Sequence, residues 1–501
     1  MKKLFLPLGL FSLMFCGGCG SSGPGPIIPK GNFSNASLKG QYVYQLSGTD
    51  TLNGVNSFPY YEAGVFVADG NGNLTSVSDD FSEAATPALT TSTGSYSIKN
   101  DGTGSLTLNN ASALVTVTLA VTMVSASKAY LIEADAGLNS SGIAELQDTA
   151  AISSAPGGTF AFRLHTANTS QMFGLSAASV GVFTASGGTV STGTMDVDRG
   201  GTLNNGTASP LTFTGSFNAP PTLGRGTGTF TDSSNTTLSF IYFVVDANNV
   251  RLLSSSSGLL GIGRAEKQNS PGLSGSYAFG GRGDTPLTSN PTSGINAVDT
   301  VGAFTASGGS ITSGAIDAVE DGSNLSTTIT GGSYTAIANG RATVTLNASS
   351  GTVQATFWMV SPSRGFFLIT NDPNAVEDGT LDLRSGTFTN ATMNGQFAFM
   401  MDGFDATPQL LDRLGTLTWD GTNKLTLNEV ANSSATGQGA ISPGVLTGSY
   451  SVSSNGRAVG TINNLSLTNN DLVFYLISGS DAYLLQNDSG VQINGMISLQ
   501  H

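Results

Sequence analysis

From about residue 38 onward, hydrophobic and polar residues alternate along short runs, separated by glycine, asparagine, aspartate and serine. Tyr42, Tyr44 and Leu46 alternate with Gln41, Val43 and Gln45, a period of two that puts the large side chains on one face of a strand. The pattern returns as Phe160/Phe162, Tyr277/Phe279 and Phe397/Phe399. These aromatics are assigned to a core, because large buried rings are a main source of stability in small domains. No run has the 3.6-residue period of an amphipathic helix.

The strand is part of a longer repeat. Its glycines, Gly40, Gly158, Gly275 and Gly395, are spaced 118, 117 and 120 residues apart. A second strand, G-x-[FL], runs into a glycine turn in each copy (Gly64, Gly181, Gly302 and Gly415), followed by G-S-[YF] at Tyr96, Phe217, Tyr334 and Tyr450. In three copies a turn pair lies just beyond that aromatic: Asp101-Gly102, Asn339-Gly340 and Asn455-Gly456. Such pairs favour type I′ hairpin tips. A period this regular predicts tandem domains, here residues 37–150, 151–270, 271–386 and 387–501, each an all-β antiparallel unit of about eight short strands.

Eight strands in hairpin succession close most simply into an up-and-down barrel, which removes the sheet edges. The G-x-[YF] opening, the long first loop (about Ser47 to Tyr60 in copy one) and the strand count are similar in layout to the calycins. That resemblance implies a barrel and carries no ligand with it. An immunoglobulin-like sandwich is the alternative, without that fold's usual Cys and Trp marks here. The sixth strand is apolar on both faces (Phe240 to Val245, Phe357 to Val360, Leu472 to Ile477), whereas a strand with one solvated face should alternate. Its outer face is therefore expected to be covered by a neighbouring copy or by a partner.

The N-terminus has a different character. Met1, Lys2 and Lys3 precede an apolar run from Leu4 to Phe15 and a small-residue exit at Gly17 to Cys19, the anatomy of an export signal. The Gly17-Gly18-Cys19 exit resembles the lipobox of bacterial lipoprotein precursors, which implies acylation of Cys19, a signal peptide over residues 1–19 and, with Gly20 next, an outer-membrane or cell-surface location. Residues 20–36, rich in Gly, Ser and Pro, read as a tether. No cysteine follows Cys19, so neither disulfides nor thiolate metal sites stabilise the domains. The net charge is −14 with 19 Lys+Arg, which argues against nucleic acid as a partner.

Candidate chemistry is sparse. His165 has no counterpart in the other copies, and no nucleophile elbow, P-loop or zinc motif occurs. Asp79, Asp196 and Asp317 each lie fifteen residues after the second-strand glycine, with Glu429 one place earlier in copy four. Such acids either fix a turn or bind a cation or a sugar. Asp69, Asn71, Asn73 and Asp80 mimic positions of a calcium loop, but Leu74 replaces the required glycine. Arg282, Gly283 and Asp284 spell an adhesion tripeptide, expected in the long first loop of copy three.

These readings converge on an exported, lipid-anchored bacterial surface protein with a non-catalytic binding, adhesion or architectural role. It would need no cofactor, would meet the membrane through its lipid, and would take an envelope or extracellular glycan or protein as partner. The alternatives are a carboxylate-dependent glycan hydrolase and a lipocalin-like carrier of small ligands.

Overall fold

The computed structural model describes residues 32–51, 58–83, 88–110, 115–168, 176–220, 222–285, 297–335, 337–434, 439–463 and 470–501. They form four closed antiparallel barrels and no α-helix. In barrel 1 the strands are Lys39–Asp50, Phe58–Asp69, Asn73–Glu83, Ala88–Ile98, Thr103–Asn110, Val115–Ser125, Lys128–Glu133 and Leu138–Leu146. Each pairs with the next, and the first pairs with the eighth. Barrels 3 (Gly275 to Leu383) and 4 (Asn394 to Leu499) repeat this order. Barrel 2 (Gly158 to Lys267) does so with one extra two-residue strand, Thr202–Leu203, beside its third.

Alternation sorts the side chains as the sequence predicts. Tyr42, Tyr44, Phe66, Leu106, Leu119 and Leu131 fill barrel 1, and Phe160, Phe162, Phe183, Phe213, Phe230 and Phe240 fill barrel 2. The interiors of barrels 3 and 4 are packed in the same way around Phe279, Phe304 and Phe357, and around Trp419, Phe397 and Phe474. A lipocalin-like carrier needs an open interior; these four hold interlocked rings. The G-S-Y motif has a second role at the barrel end. Tyr96 Oη donates to the carbonyl of Leu38 at 2.7 Å, Tyr334 to Leu273 at 2.9 Å and Tyr450 to Met393 at 3.1 Å, tying the entering chain across the barrel mouth. Of the turns after this motif, one has the expected type I′ form and two do not. Asn339 and Gly340 both have positive φ, whereas at Asp101-Gly102 and Asn455-Gly456 only the glycine does, because the wider Lys99 to Thr103 connection needs a single left-handed residue.

The outer faces of the sixth strands are covered by neighbouring copies. Ile241, Phe243 and Val245 of barrel 2 pack on Val43, Ala63 and Val65 of barrel 1. Trp358 and Val360 of barrel 3 pack on Ala161, Val180 and Val182 of barrel 2, and Val473 and Tyr475 of barrel 4 on Ala278, Val301 and Ala303 of barrel 3. Ala120, Val124, Tyr130 and Ile132 of barrel 1 meet Ala398 and Leu414 of barrel 4. The face formed by strands one and two of each barrel therefore meets strands six and seven of the next, and the fourth barrel returns to the first. Such a head-to-tail contact makes a ring when the rotation closes, and here it closes after four copies. The small residue between the core aromatics of strand one, Val43, Ala161, Ala278 or Ala398, lets the neighbouring strand approach.

Candidate functional site

Each repeat ends in a two-residue latch: Gln147-Asp148, Gln268-Asn269, Arg384-Ser385 and Gln500-His501. The first side chain spans two carbonyls of the next barrel, one on strand six and one on the turn between strands four and five. Gln268 Nε2 donates to Met359 O at 2.8 Å and Asn339 O at 3.3 Å; Gln500 Nε2 donates to Met123 O at 2.7 Å and Asp101 O at 3.1 Å. Gln147 and Arg384 do the same with Val244 and Leu223, and with Leu476 and Asn455. The second residue donates its backbone N–H to the end of strand six, Asp148 to Val245, Asn269 to Val360, Ser385 to Ile477 and His501 to Val124, at 2.8, 2.8, 2.9 and 3.1 Å. The turn glycines make room for this. A Cβ on Gly340 (φ +89) would stand 2.2 Å from Gln268 Nε2, and one on Gly102 2.6 Å from Gln500 Nε2. All four latches join equivalent barrel ends, so the barrels stand side by side in the same sense.

A buried ion pair accompanies three of the four seams. Arg225 binds Asp80 through Nε and Nη2 at 2.6 and 2.7 Å, Arg341 binds Asp196 at 2.7 and 2.9 Å, and Arg457 binds Asp317 at 2.7 and 2.8 Å. Trp358 Nε1 adds a bond to Asp196 at 2.8 Å and Tyr475 Oη one to Asp317 at 2.6 Å. Asp196 and Asp317 are fully buried and occupied by these partners, in separate seams. Copy one departs from the spacing read in sequence: Ala63, the residue before Gly64, pairs with Asp80, just as Val180 pairs with Asp196 and Val301 with Asp317. A one-residue offset turns a side chain to the other face, so Asp80 points into the seam and Asp79 into the barrel. At the closing seam the corresponding residues are Val430, opposite Leu414, and Thr103 at the start of strand five; both ionic partners are replaced together. That seam is held instead by amide and hydroxyl side chains, two of the amides donating to carboxyl groups: Asn139 Nδ2 to Asp412 at 3.0 Å and Asn428 Nδ2 to Asp101 at 3.2 Å. Asn432 Nδ2 donates to the carbonyls of Glu133 and Leu138 at 2.9 and 2.8 Å, and Tyr130 Oη lies 2.8 Å from Ser498 Oγ.

The other ends of the barrels meet in a charged hub. Arg282, Gly283 and Asp284 belong to the first strand of barrel 3, Gly275–Asp284, and not to a loop. Arg282 binds Asp299 at 3.0 Å and Asp402 of barrel 4, so the tripeptide is a strand-and-seam element in which 36% of the Arg282 side chain stays exposed. His165, inside the first strand of barrel 2, bridges Asp378 at 2.8 Å and Asp284 at 3.1 Å of barrel 3. Burial opposes its charge, but the two carboxylates outweigh it and raise the imidazole to about 10. The calcium-loop mimic does not converge. Asp69 accepts the N–H groups of Asn71 and Asn73 at 2.7 and 3.0 Å, a turn-fixing pattern, while Asp80 sits in the seam. Among the described residues no three acidic, histidine or cysteine side chains are grouped as metal ligands. Cys19 lies outside the described residues.

Barrels 1 and 4 carry buried polar networks inside the end nearest the hub, and barrel 3 holds the buried Glu377 at its own hub end. In barrel 1, Tyr44 and Tyr60 both donate to Glu62, Thr90 donates to Asp79, and Glu133 is fully buried. Burial, with Asp79 adding repulsion, pushes Glu62 up to about 8, and burial holds Glu133 well above the usual carboxyl range. In barrel 4, Arg413 binds Glu429 at 2.9 Å and Gln486 at 2.7 Å. Glu429 opposes Gly415 as Asp79 opposes Gly64, so these two acids, grouped in sequence with Asp196 and Asp317, serve the barrel interior instead.

The arrangement defines a pseudo-fourfold ring of up-and-down barrels. No protein-family model matches the chain, and no curated protein does. Among solved structures, intact Ap-TbpB with its N and C lobes is 9% identical, with 96% of this chain and 97% of that one covered, at a TM-score of 0.19. Transferrin Binding Protein B from Haemophilus parasuis (a double mutant) is 10% identical with 75% and 83% covered at 0.18, and that from serogroup B Neisseria meningitidis is 9% identical with 74% and 83% covered at 0.19. At such scores the likeness does not extend to a common arrangement of the chain.

Proposed function

We propose that this chain is an exported, lipid-anchored bacterial surface protein in which four barrels form one rigid, non-catalytic platform for binding or architecture. The observation that carries this reading is the latch repeated at every seam, the closing one included. A chain of independent beads has no use for it, whereas a rigid body that presents its surfaces in fixed register does. The lipobox-like Gly17-Gly18-Cys19 supplies the anchor. The tether enters beside the latches, since Phe33 donates to Asn100 O at 3.3 Å and packs against the core of barrel 1. The hub end is then directed away from the membrane. Partner contact falls to the outward fourth strands, rich in Thr and Ser, whose exposed Leu89, Leu325, Ile441 and Val445 give them an amphipathic character suited to an envelope glycan or protein. Against a glycan hydrolase stands the placement of Asp196 and Asp317, each fully buried and bound to an arginine. In cells, Cys19→Ala should abolish palmitate labelling and shift the protein out of the membrane fraction. Intact protein is expected to give signal on a glycan or matrix array, and silence on both arrays refutes the binding role.

A further inference from the structure

The polar ends of barrels 1 and 4 occupy matching positions with different charge balance, a self-compensating Arg–Glu pair in barrel 4 and acids alone in barrel 1. Arg413 lies two residues before Gly415, as Glu62 lies two before Gly64; Glu429 matches Asp79 in register; and Gln486, last residue of strand seven, matches Glu133. Barrel 4 is complete in itself: the Arg413 guanidinium spans Glu429 Oε2 at 2.9 Å and Gln486 Oε1 at 2.7 Å. Barrel 1 has three carboxyl groups at these positions, and none of the three is paired with a lysine or arginine among the described residues. Two tyrosine hydroxyls cap Glu62, Thr90 and Tyr44 cap Asp79, and the Asp135 N–H reaches Glu133 Oε1 at 3.3 Å, but Glu133 Oε2, fully buried, has no hydrogen-bond partner. Ser140 Oγ, on the adjoining eighth strand, is also buried without one. A buried carboxylate with one oxygen left without a donor is costly unless a cation or proton neutralises it.

We propose that the end of barrel 1 is a binding site for a small organic cation, an ammonium or guanidinium group, which takes the place that the Arg413 guanidinium fills in barrel 4. Glu133 Oε2 and Asp79 would accept its N–H donors, and Tyr44 and Tyr60 hold Glu62 in place. Thr90, which donates to Asp79, is partly exposed, so this polar group lies toward the barrel rim. A nitrogen cation suits the site better than a metal ion, since the acids are not grouped closely enough for shared coordination, whereas a planar or tetrahedral set of N–H donors can span separated acceptors.

The test is isothermal titration calorimetry on the full chain at pH 8.5 with methylguanidinium and methylammonium, and with tetramethylammonium, which has no N–H donor, at matched ionic strength. The expected result is saturable binding at one site per chain for at least one of the first two and none for the third. Glu133→Gln should weaken it at least tenfold. Glu62→Arg, which installs the charge that barrel 4 carries, should abolish binding while the thermal midpoint stays level or rises. The proposal is overturned by absence of saturable heat in the unmodified chain, by undiminished binding in Glu62→Arg, or by stabilisation that follows protons alone, with a midpoint that depends on pH and is indifferent to all three cations.

Discussion

Replacing Arg225 by alanine tests how the seams are held. Asp80 is fully buried and accepts two bonds from the Arg225 guanidinium across the seam between barrels 1 and 2, while Arg225 keeps 23% of its side chain exposed. Removing the arginine strands a buried carboxylate, a change that costs about 3–5 kcal/mol in such settings; the partial exposure of this pair puts the expectation near 3 kcal/mol. Asp80→Val leaves instead an arginine that can turn toward water and should cost only about 1 kcal/mol. The double variant Asp80→Val/Arg225→Thr reproduces what the closing seam already has, Val430 with Thr103, and should lie within about 1 kcal/mol of the parent, since apolar replacement of a buried pair is often neutral. This seam is the cleanest choice because Phe243 stands opposite Arg225, so no third donor is orphaned as Trp358 would be beside Asp196. Four linked barrels need not unfold in one step. The appropriate measurement is therefore native-state hydrogen exchange over Thr237–Asp246 and Lys39–Asp50, which reports local opening free energies. The reasoning fails if the double variant opens as readily as Arg225→Ala, or if the two single variants cost the same.

Gly340→Ala should lower the thermal midpoint more than Gly187→Ala. Both sites have positive φ, but only at Gly340 does the new Cβ strike a latch, 2.2 Å from Gln268 Nε2, whereas nothing lies within 4 Å at Gly187; the difference should be about 1–2 kcal/mol. Gln500→Ala should reduce exchange protection of Met123 and Val124 by about 1 kcal/mol and leave Met359 and Val360, latched by Gln268, unchanged. Stability should peak in mild acid. Burial raises Glu62 and Glu377 from 4.5 to about 8, so their contribution is complete below about pH 4.5 and is lost toward pH 8, at about 1.4 kcal/mol per pH unit for each group. His165, raised from 6.5 to about 10, adds a loss between those values. Asp378 and Glu266, where arginine partners overcome burial and lower the carboxyl to about 2, act oppositely, and their contribution fades as the pH falls from about 4 toward 2. A thermal midpoint that climbs steadily from pH 5 to 9 contradicts these assignments.

Much of the architecture was legible in the chain. Period two in Tyr42, Tyr44 and Leu46, repeated near every 118 residues, is enough to specify strands, copy number and a core lined with rings, because alternation and burial are local consequences of the pleat. The sixth strands, apolar on both faces, announced that something covers them. The latch was also visible, as Gln, Gln, Arg and Gln at the end of each copy, but a polar residue after a strand gives no hint that it reaches two carbonyls of another domain. The acids show the limit most plainly. Equal spacing grouped Asp79 with Asp196 and Asp317, whereas strand register put Asp80 in their place and sent Asp79 inward beside Glu62.

Sequence by itself therefore determined the module: strands, barrel interiors, glycine turns and the absence of sulfur crosslinks all follow from neighbours along the chain and from which side chains avoid water. Only the tertiary structure decided that four modules close on one another, that His165 and Arg282 are seam residues, and that the first barrel ends in acids where the fourth ends in an Arg–Glu pair. These depend on contacts between residues a hundred or more positions apart, where a shift of one place in register reverses the face a side chain presents and no local pattern records the partner.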